Sequence, residues 1–257
     1  MTLCIFKIFS AIIILMIAII GGIWPFVNRI NNQKNINSNS ISFDFPTGEA
    51  LASGIFLGVG LLHMLPDSVA EFSIAGYHYP LAFFFTAVSF LLLLLLEHIT
   101  ASLHNHSNNF MHGIIFFMAV MLSIHSFLEG TAVGISVNFA TAVIIFMAII
   151  AHKGAASFAL SVHLNRSYLK LTSCIITFSI FCLITPLGIF AGSWFVLTSH
   201  RLFLPIINSL AAGTFLYIGT LHGLERTSLV KIYCNIKEIF FMLIGFSLIG
   251  IITIFKG

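Results

Sequence analysis

The chain has 257 residues, 59% of them hydrophobic and only 7% charged, with a formal net charge of +3. Globular chains carry about 25% charged residues, so this composition excludes an ordinary soluble domain and describes an integral membrane protein with little soluble mass. The basic residues are few and scattered, which excludes a nucleic-acid partner.

A bilayer-spanning helix needs about 20 mainly apolar residues. That template fits eight times, over 3–24, 49–71, 79–99, 111–137, 141–164, 170–195, 203–225 and 236–255. The expected fold is an all-α integral membrane protein, eight transmembrane helices forming a single domain over 1–257. The first run lacks a small-x-small cleavage site and reads as a retained helix rather than a signal peptide. The polar stretch PFVNRINNQKNINSNSISFDFP, within about 25–48, cannot build a core and is expected to be a flexible loop. A short His-containing loop is expected at about 100–110, and the remaining turns are short enough to make consecutive helices antiparallel neighbours. Cys4, Cys174, Cys182 and Cys234 show no CxxC spacing and give no indication of redox compartment.

Orientation follows from the basic residues. Arg29, Lys34, Arg166, Lys170, Arg226, Lys231 and Lys237 follow the odd-numbered helices, against Lys7, Arg201 and Lys256 on the other side. The positive-inside rule then places the odd-numbered loops in the cytoplasm and both termini outside it.

Taken in order, the second helix contains LLHMLPD. His63 and Asp67, four apart, share a face, and Pro66 between them leaves the carbonyl of Leu62 without its helical donor. The group reads equally as a stopping place for a cation and as a polar pair at a proline kink. Gly54 and Gly58 form a small-residue face for a partner helix. The third helix, ending in Glu97 and His98, reads as lipid-facing wall. In the loop beyond it, His104 and His106, with His98 and His112 at its edges, form a loose set of metal candidates.

The fourth helix carries HSFLEGTAVG and the fifth AHKGAASFAL. His125 and Glu129, at i and i+4, point one way, and Gly130 and Gly134 admit a close neighbour. His152 is followed directly by Lys153. A charged side chain at mid-bilayer costs about 2.5–3.5 kcal/mol on insertion scales, so ionisable groups here require a function. Two imidazoles and a carboxylate are a ligand set that zinc takes, with water or a group such as His63 or Asp67 completing it. Lys153 cannot ligate while protonated. It would repel a second cation, or pair with Glu129 or another membrane carboxylate. Pro186 predicts a kink in the sixth helix. On the seventh, His222 and Glu225, three apart, read as an exit relay for an ion or proton, or as boundary anchors.

These motifs, with AAGTFLYIG in the seventh helix, resemble the ZIP family of divalent-metal transporters over most of the chain. The resemblance implies a ZIP-like bundle and a mid-membrane transport site at His125, Glu129 and His152. It puts His63 or Asp67 near the entrance, with Ser126 as a further auxiliary group. Lys153 and Ala156 stand where many members have acidic residues, which implies the branch with His-Lys on the fifth helix and one metal rather than two. The expected function is movement of Zn2+ into the cytosol, with Fe2+ or Mn2+ as alternatives. The metal is substrate and no cofactor is permanently bound; the other partners are the bilayer and, in one arrangement, a second copy in a homodimer. An intramembrane zinc hydrolase is a weaker reading because Lys153 replaces the Glu of HExxH, and a metal sensor lacks an effector domain.

Overall fold

The computed structural model describes residues 3–34, 45–77, 79–103, 109–166, 169–194, 202–222 and 236–254, and every regular element among them is helical. These are α1 (Leu3–Lys34), α2 (Pro46–Ile74), α3 (Leu81–Leu103), α4 (Asn109–Ile135), α5 (Phe139–Arg166), α6 (Leu171–Trp194), α7 (Phe203–Tyr217, continued by a π turn over Ile218–His222) and α8 (Ile236–Ile254). Each expected apolar run overlaps one of them, and residues 223–225 of the seventh lie outside the described residues. Among the described residues, α1, α2, α3, α5, α6 and α8 are long and apolar enough to cross a membrane.

The boundaries differ most around the polar stretch expected as a loop. Helix α1 continues past Pro25 to Lys34, and Pro46 already opens α2. Proline inside a helix removes a donor and crowds the carbonyl four residues back, but neighbouring helices compensate for this in membranes. Here Arg29 Nη2 donates to the Leu169 carbonyl at 3.0 Å, and Nη1 lies 3.5 Å from Asn165 Oδ1, so tertiary contacts hold a segment whose composition argues for coil. At the other end, Pro46 occupies a first-turn position where no N–H is needed.

The chain forms two compact units, α1 with α4, α5 and α6, and α2 with α3, α7 and α8. In the first, α4 and α6 meet along a seam of glycines. A Cβ on Gly130 or Gly134 would collide with the carbonyls of Thr185 or Ile189, and one on Gly188 or Gly192 with those of Phe127 or Thr131. Between helices in lipid there is no hydrophobic driving force, so association relies on such close backbone approach. Helix α6 shows both consequences: Phe181, Cys182, Thr185, Gly188, Ile189 and Gly192 are buried, while Ile176, Ile180, Leu183, Leu187 and Phe190 form an exposed apolar stripe at helical spacing. Helix α1 packs on α5 through Phe6 against Phe139 and Phe146, ring centroids 5.1 and 5.5 Å apart, and through Gly21 against the Gly154 carbonyl.

In the second unit, Gly54 meets the Met242 carbonyl and Gly245 that of Leu51, which gives the small face of α2 its partner, α8. The Pro66 kink is absorbed by a π turn over Val59–Met64, in which the Leu65 N–H reaches back five residues to the Gly60 carbonyl. Gly76, at φ +86°, closes α2 with bonds from Gly76 N–H to Ser73 and from Tyr77 N–H to Phe72. Helix α3 is more than wall: Ser89 donates to the Leu210 carbonyl at 2.7 Å, Thr86 to that of Ser209 at 3.0 Å, and Glu97 accepts from the Tyr217 hydroxyl at 2.5 Å.

A methyl at the α4–α6 seam overpacks it. Gly188→Ala is expected to lower the Tm of the detergent-solubilised protein by about 2–10 °C. Gly154→Ala, whose methyl meets only Ile17 Cγ2 at 3.6 Å, should match the wild type or exceed it. Equal Tm values for the two variants would remove the seam from the account.

Candidate metal centre

One helical turn separates His125 from Glu129 on α4, so both side chains leave the same face and meet His152 from α5. The Nε2 atoms of His125 and His152 lie 3.0 and 2.9 Å from the same oxygen, Glu129 Oε1. The imidazole centroids are 6.0 Å apart, with planes inclined by 37°. Both histidines are buried and Glu129 nearly so. The second carboxylate oxygen, Oε2, is buried with no hydrogen-bond partner among the described residues.

The protonation of His152 follows from geometry. Its Nδ1 is 2.8 Å from the Ala148 carbonyl, which can only accept, so Nδ1 carries the hydrogen and donates it. In the neutral ring Nε2 is then a lone pair aimed at a carboxylate oxygen. Two acceptors at that separation repel each other, and only a proton or a metal cation between them reverses the sign. The bond to Ala148 also fixes the ring, as a second hydrogen bond does for metal-ligating histidines. One ligand atom from each residue lies within 4.8 Å of the others. A tetrahedral zinc ion bound at about 2.0–2.1 Å would set neighbouring ligand atoms about 3.3–3.4 Å apart, so a small adjustment closes the set around such an ion.

Lys153 makes no ion pair with Glu129 among the described residues. Its Nζ donates to Ser126 Oγ at 3.0 Å and Thr185 Oγ1 at 2.9 Å, and it lies 3.8 Å from the centre of the Phe181 ring. Of the two roles open for it in the sequence, an ion pair is not the one these contacts describe. Hydroxyls and an aromatic face hold the ammonium instead.

His63 and Asp67 pair with each other on α2, Nδ1 to Oδ2 at 3.1 Å, and both retain some exposure. The backbone of His222 closes the π turn that continues α7. Its side chain, together with Glu225, His104 and His106, lies outside the described residues.

A family model described as ZIP Zinc transporter matches residues 4–114 and 107–253 of this chain. The chain belongs to the ZIP family. Like other ZIP proteins, it is a multi-pass integral membrane protein. It is similar to zinc transporter ZIP1 of Homo sapiens, 29% identical over 245 residues that cover 77% of this chain and 74% of the relative. The ZIP1 of Mus musculus is 27% identical over 291 residues, 95% and 89% of the two chains. Protein zntD of Dictyostelium discoideum is 31% identical over 147 residues, 54% of this chain and 21% of its own length.

Two residues that hold Lys153 beside this candidate site, Thr185 and Phe181, carry no expectation from the sequence. The available signal was a hydroxyl directly before Pro186, deep in an apolar helix. Lys153 is also packed along its whole stem, which separates charge from volume. Lys153→Met, keeping the stem, is expected to unfold at or above the wild-type temperature. Lys153→Ala leaves a cavity and should unfold about 5–15 °C lower. If both variants fall equally, the ammonium and not the stem supports the fold.

Proposed function

We propose that this ZIP protein carries Zn2+ across its membrane into the cytosol, with His125, Glu129 and His152 as the ligands at mid-membrane. The observation that carries this reading is the His152 imidazole, held by the Ala148 carbonyl with its Nε2 directed 2.9 Å from a carboxylate oxygen. That arrangement needs a proton or a metal cation between the two atoms. Family membership and relatives named zinc transporters support zinc as that cation. Imidazole-rich sites also bind zinc more tightly than Mn2+ or Fe2+.

Eight spans in one transporter domain over 1–257, with both termini extracytoplasmic, belong to the same proposal. The distribution of Lys and Arg supports it, as do the eight helices among the described residues, six of them long and apolar enough to span. Lys153 assigns the chain to the His-Lys branch and limits the site to one metal, its charge standing where a second cation would have to sit. His63, Asp67 and Ser126 serve as auxiliary polar groups, His222 and Glu225 as an exit relay, and His104 and His106 as loop metal candidates. The metal is cargo rather than a cofactor, and assembly as a homodimer is part of the proposal. Among the described residues no carboxylate stands beside the ligands as a general base apart from Glu129 itself, which is why transport is preferred to hydrolysis.

Purified protein in liposomes should take up labelled zinc saturably, and His125→Ala and Glu129→Ala should reduce uptake to the rate of empty vesicles while remaining folded. Wild-type rates in either variant would end the proposal. Excess Fe2+ or Mn2+ should compete weakly; strong competition by either would shift the preferred substrate.

Equilibrium titration of the purified chain should find one zinc per chain in this site, the count falling to none in Glu129→Ala. Two ions lost together in that variant would contradict the role given to Lys153.

A further inference from the structure

We infer that Thr185 and Phe181 of α6 are positioning residues that hold the Lys153 ammonium off Glu129 and so keep the carboxylate available to the transported cation. This rests on the reading of Glu129 as a metal ligand. Lys153 and the metal are competing cations for one buried carboxylate, and the helix geometry puts them within reach of each other. Lys153 follows His152, whose Nε2 is 2.9 Å from Glu129 Oε1. Ser126, 3.0 Å from Nζ, precedes Glu129 by three residues on α4 and is therefore its neighbour on the helix surface. A lysine stem is long and flexible enough to swing between the two. In an environment of low dielectric, a free ammonium would close onto the carboxylate.

What prevents this is a cage with two walls from α6. Thr185 Oγ1 accepts from Nζ at 2.9 Å, and the Phe181 ring, one helical turn earlier, presents its face at 3.8 Å. Both residues are fully buried. Their depth is set by the glycine seam, because the Thr185 carbonyl rests where a Cβ on Gly130 would stand. The third contact, Ser126, comes from α4 itself, so the contacts from outside the helix that carries Glu129 come from α6. The cage thus accommodates an ammonium one residue from a ligand without letting it neutralise the ligand set.

The inference is tested by the kinetics of labelled zinc uptake in proteoliposomes. Thr185→Val keeps the shape and removes the acceptor; it should raise the KM about tenfold, the equivalent of one hydrogen bond to a charged group, with Vmax little changed. Phe181→Leu should act in the same direction, and Thr185→Ser should restore the wild-type KM. The deciding variants add Lys153→Met to each. With the competing cation gone, the KM of Thr185→Val/Lys153→Met should equal that of Lys153→Met alone. An unchanged KM in Thr185→Val and Phe181→Leu would overturn the inference. So would a rise that persists without the lysine, since the two residues would then act on packing and not through Lys153. Should Thr185→Val fail to fold, Phe181→Leu with and without Lys153→Met decides alone. Glu129→Gln separates the two levels: wild-type uptake in that variant removes the ligand reading itself, whatever the cage variants show.

Discussion

A carboxylate surrounded by apolar helices must be neutralised, and the arrangement around Glu129 follows from how that is done. Its Oε1 faces two imidazole nitrogens at 3.0 and 2.9 Å, and one of these rings has its only hydrogen committed to the backbone of its own helix. A neutral imidazole would not supply the missing positive charge; a proton or a metal cation between the atoms would. The ammonium of Lys153 is held by Ser126, Thr185 and Phe181. The ligand set therefore retains a demand for positive charge, which under the proposed function is met by the cargo.

That electrostatic arrangement depends on placing three helices to within a fraction of an ångström. In water such precision comes from a tightly packed hydrophobic core, but lipid tails are as apolar as leucine and give no net drive for helices to associate. The chain uses glycine on both sides of one seam, Gly130 and Gly134 facing Gly188 and Gly192, so that backbone meets backbone. The seam determines how deeply α6 sits against α4, and with it where Thr185 and Phe181 meet the ammonium. On α5, Gly21 of α1 rests on the Gly154 carbonyl, next to Lys153 in the chain. Site and scaffold are thus set by the same small residues.

Much of this was legible in the sequence because membrane chemistry makes exceptions conspicuous. Ionisable groups in apolar runs drew attention to His125, Glu129, His152 and Lys153, and helical spacing put the first two on one face. The glycines at 54, 58, 130 and 134 announced close contacts, though not with which helices. What could not be read were the properties that depend on contacts between distant segments. The polar run after Pro25 is helical as far as Lys34, where Arg29 finds the Leu169 carbonyl and Asn165. Glu97, read as part of a lipid-facing wall, accepts a bond from Tyr217 of another helix. The choice for Lys153 between an ion pair and some other partner was open in the sequence for the same reason, since Thr185 and Phe181 lie about thirty residues away in the chain, which helical periodicity cannot bridge.

Placing Lys153 beside the ligands also bears on what kind of binding the site supports. A structural zinc site closes its tetrahedron with four protein ligands and retains the metal, whereas a site that must release its ion keeps a position open. Conduction similarly requires binding strong enough to admit the ion and weak enough to let it leave. Here the described donor set has three members, and a fourth position left to solvent or to a transient ligand would keep binding reversible. Under the proposed function, an ammonium one residue from His152 would lower the affinity for a dication further by repulsion. On this view Lys153 tunes affinity downward: it remains close enough to weaken retention, while Thr185 and Phe181 hold it far enough away not to replace the cargo.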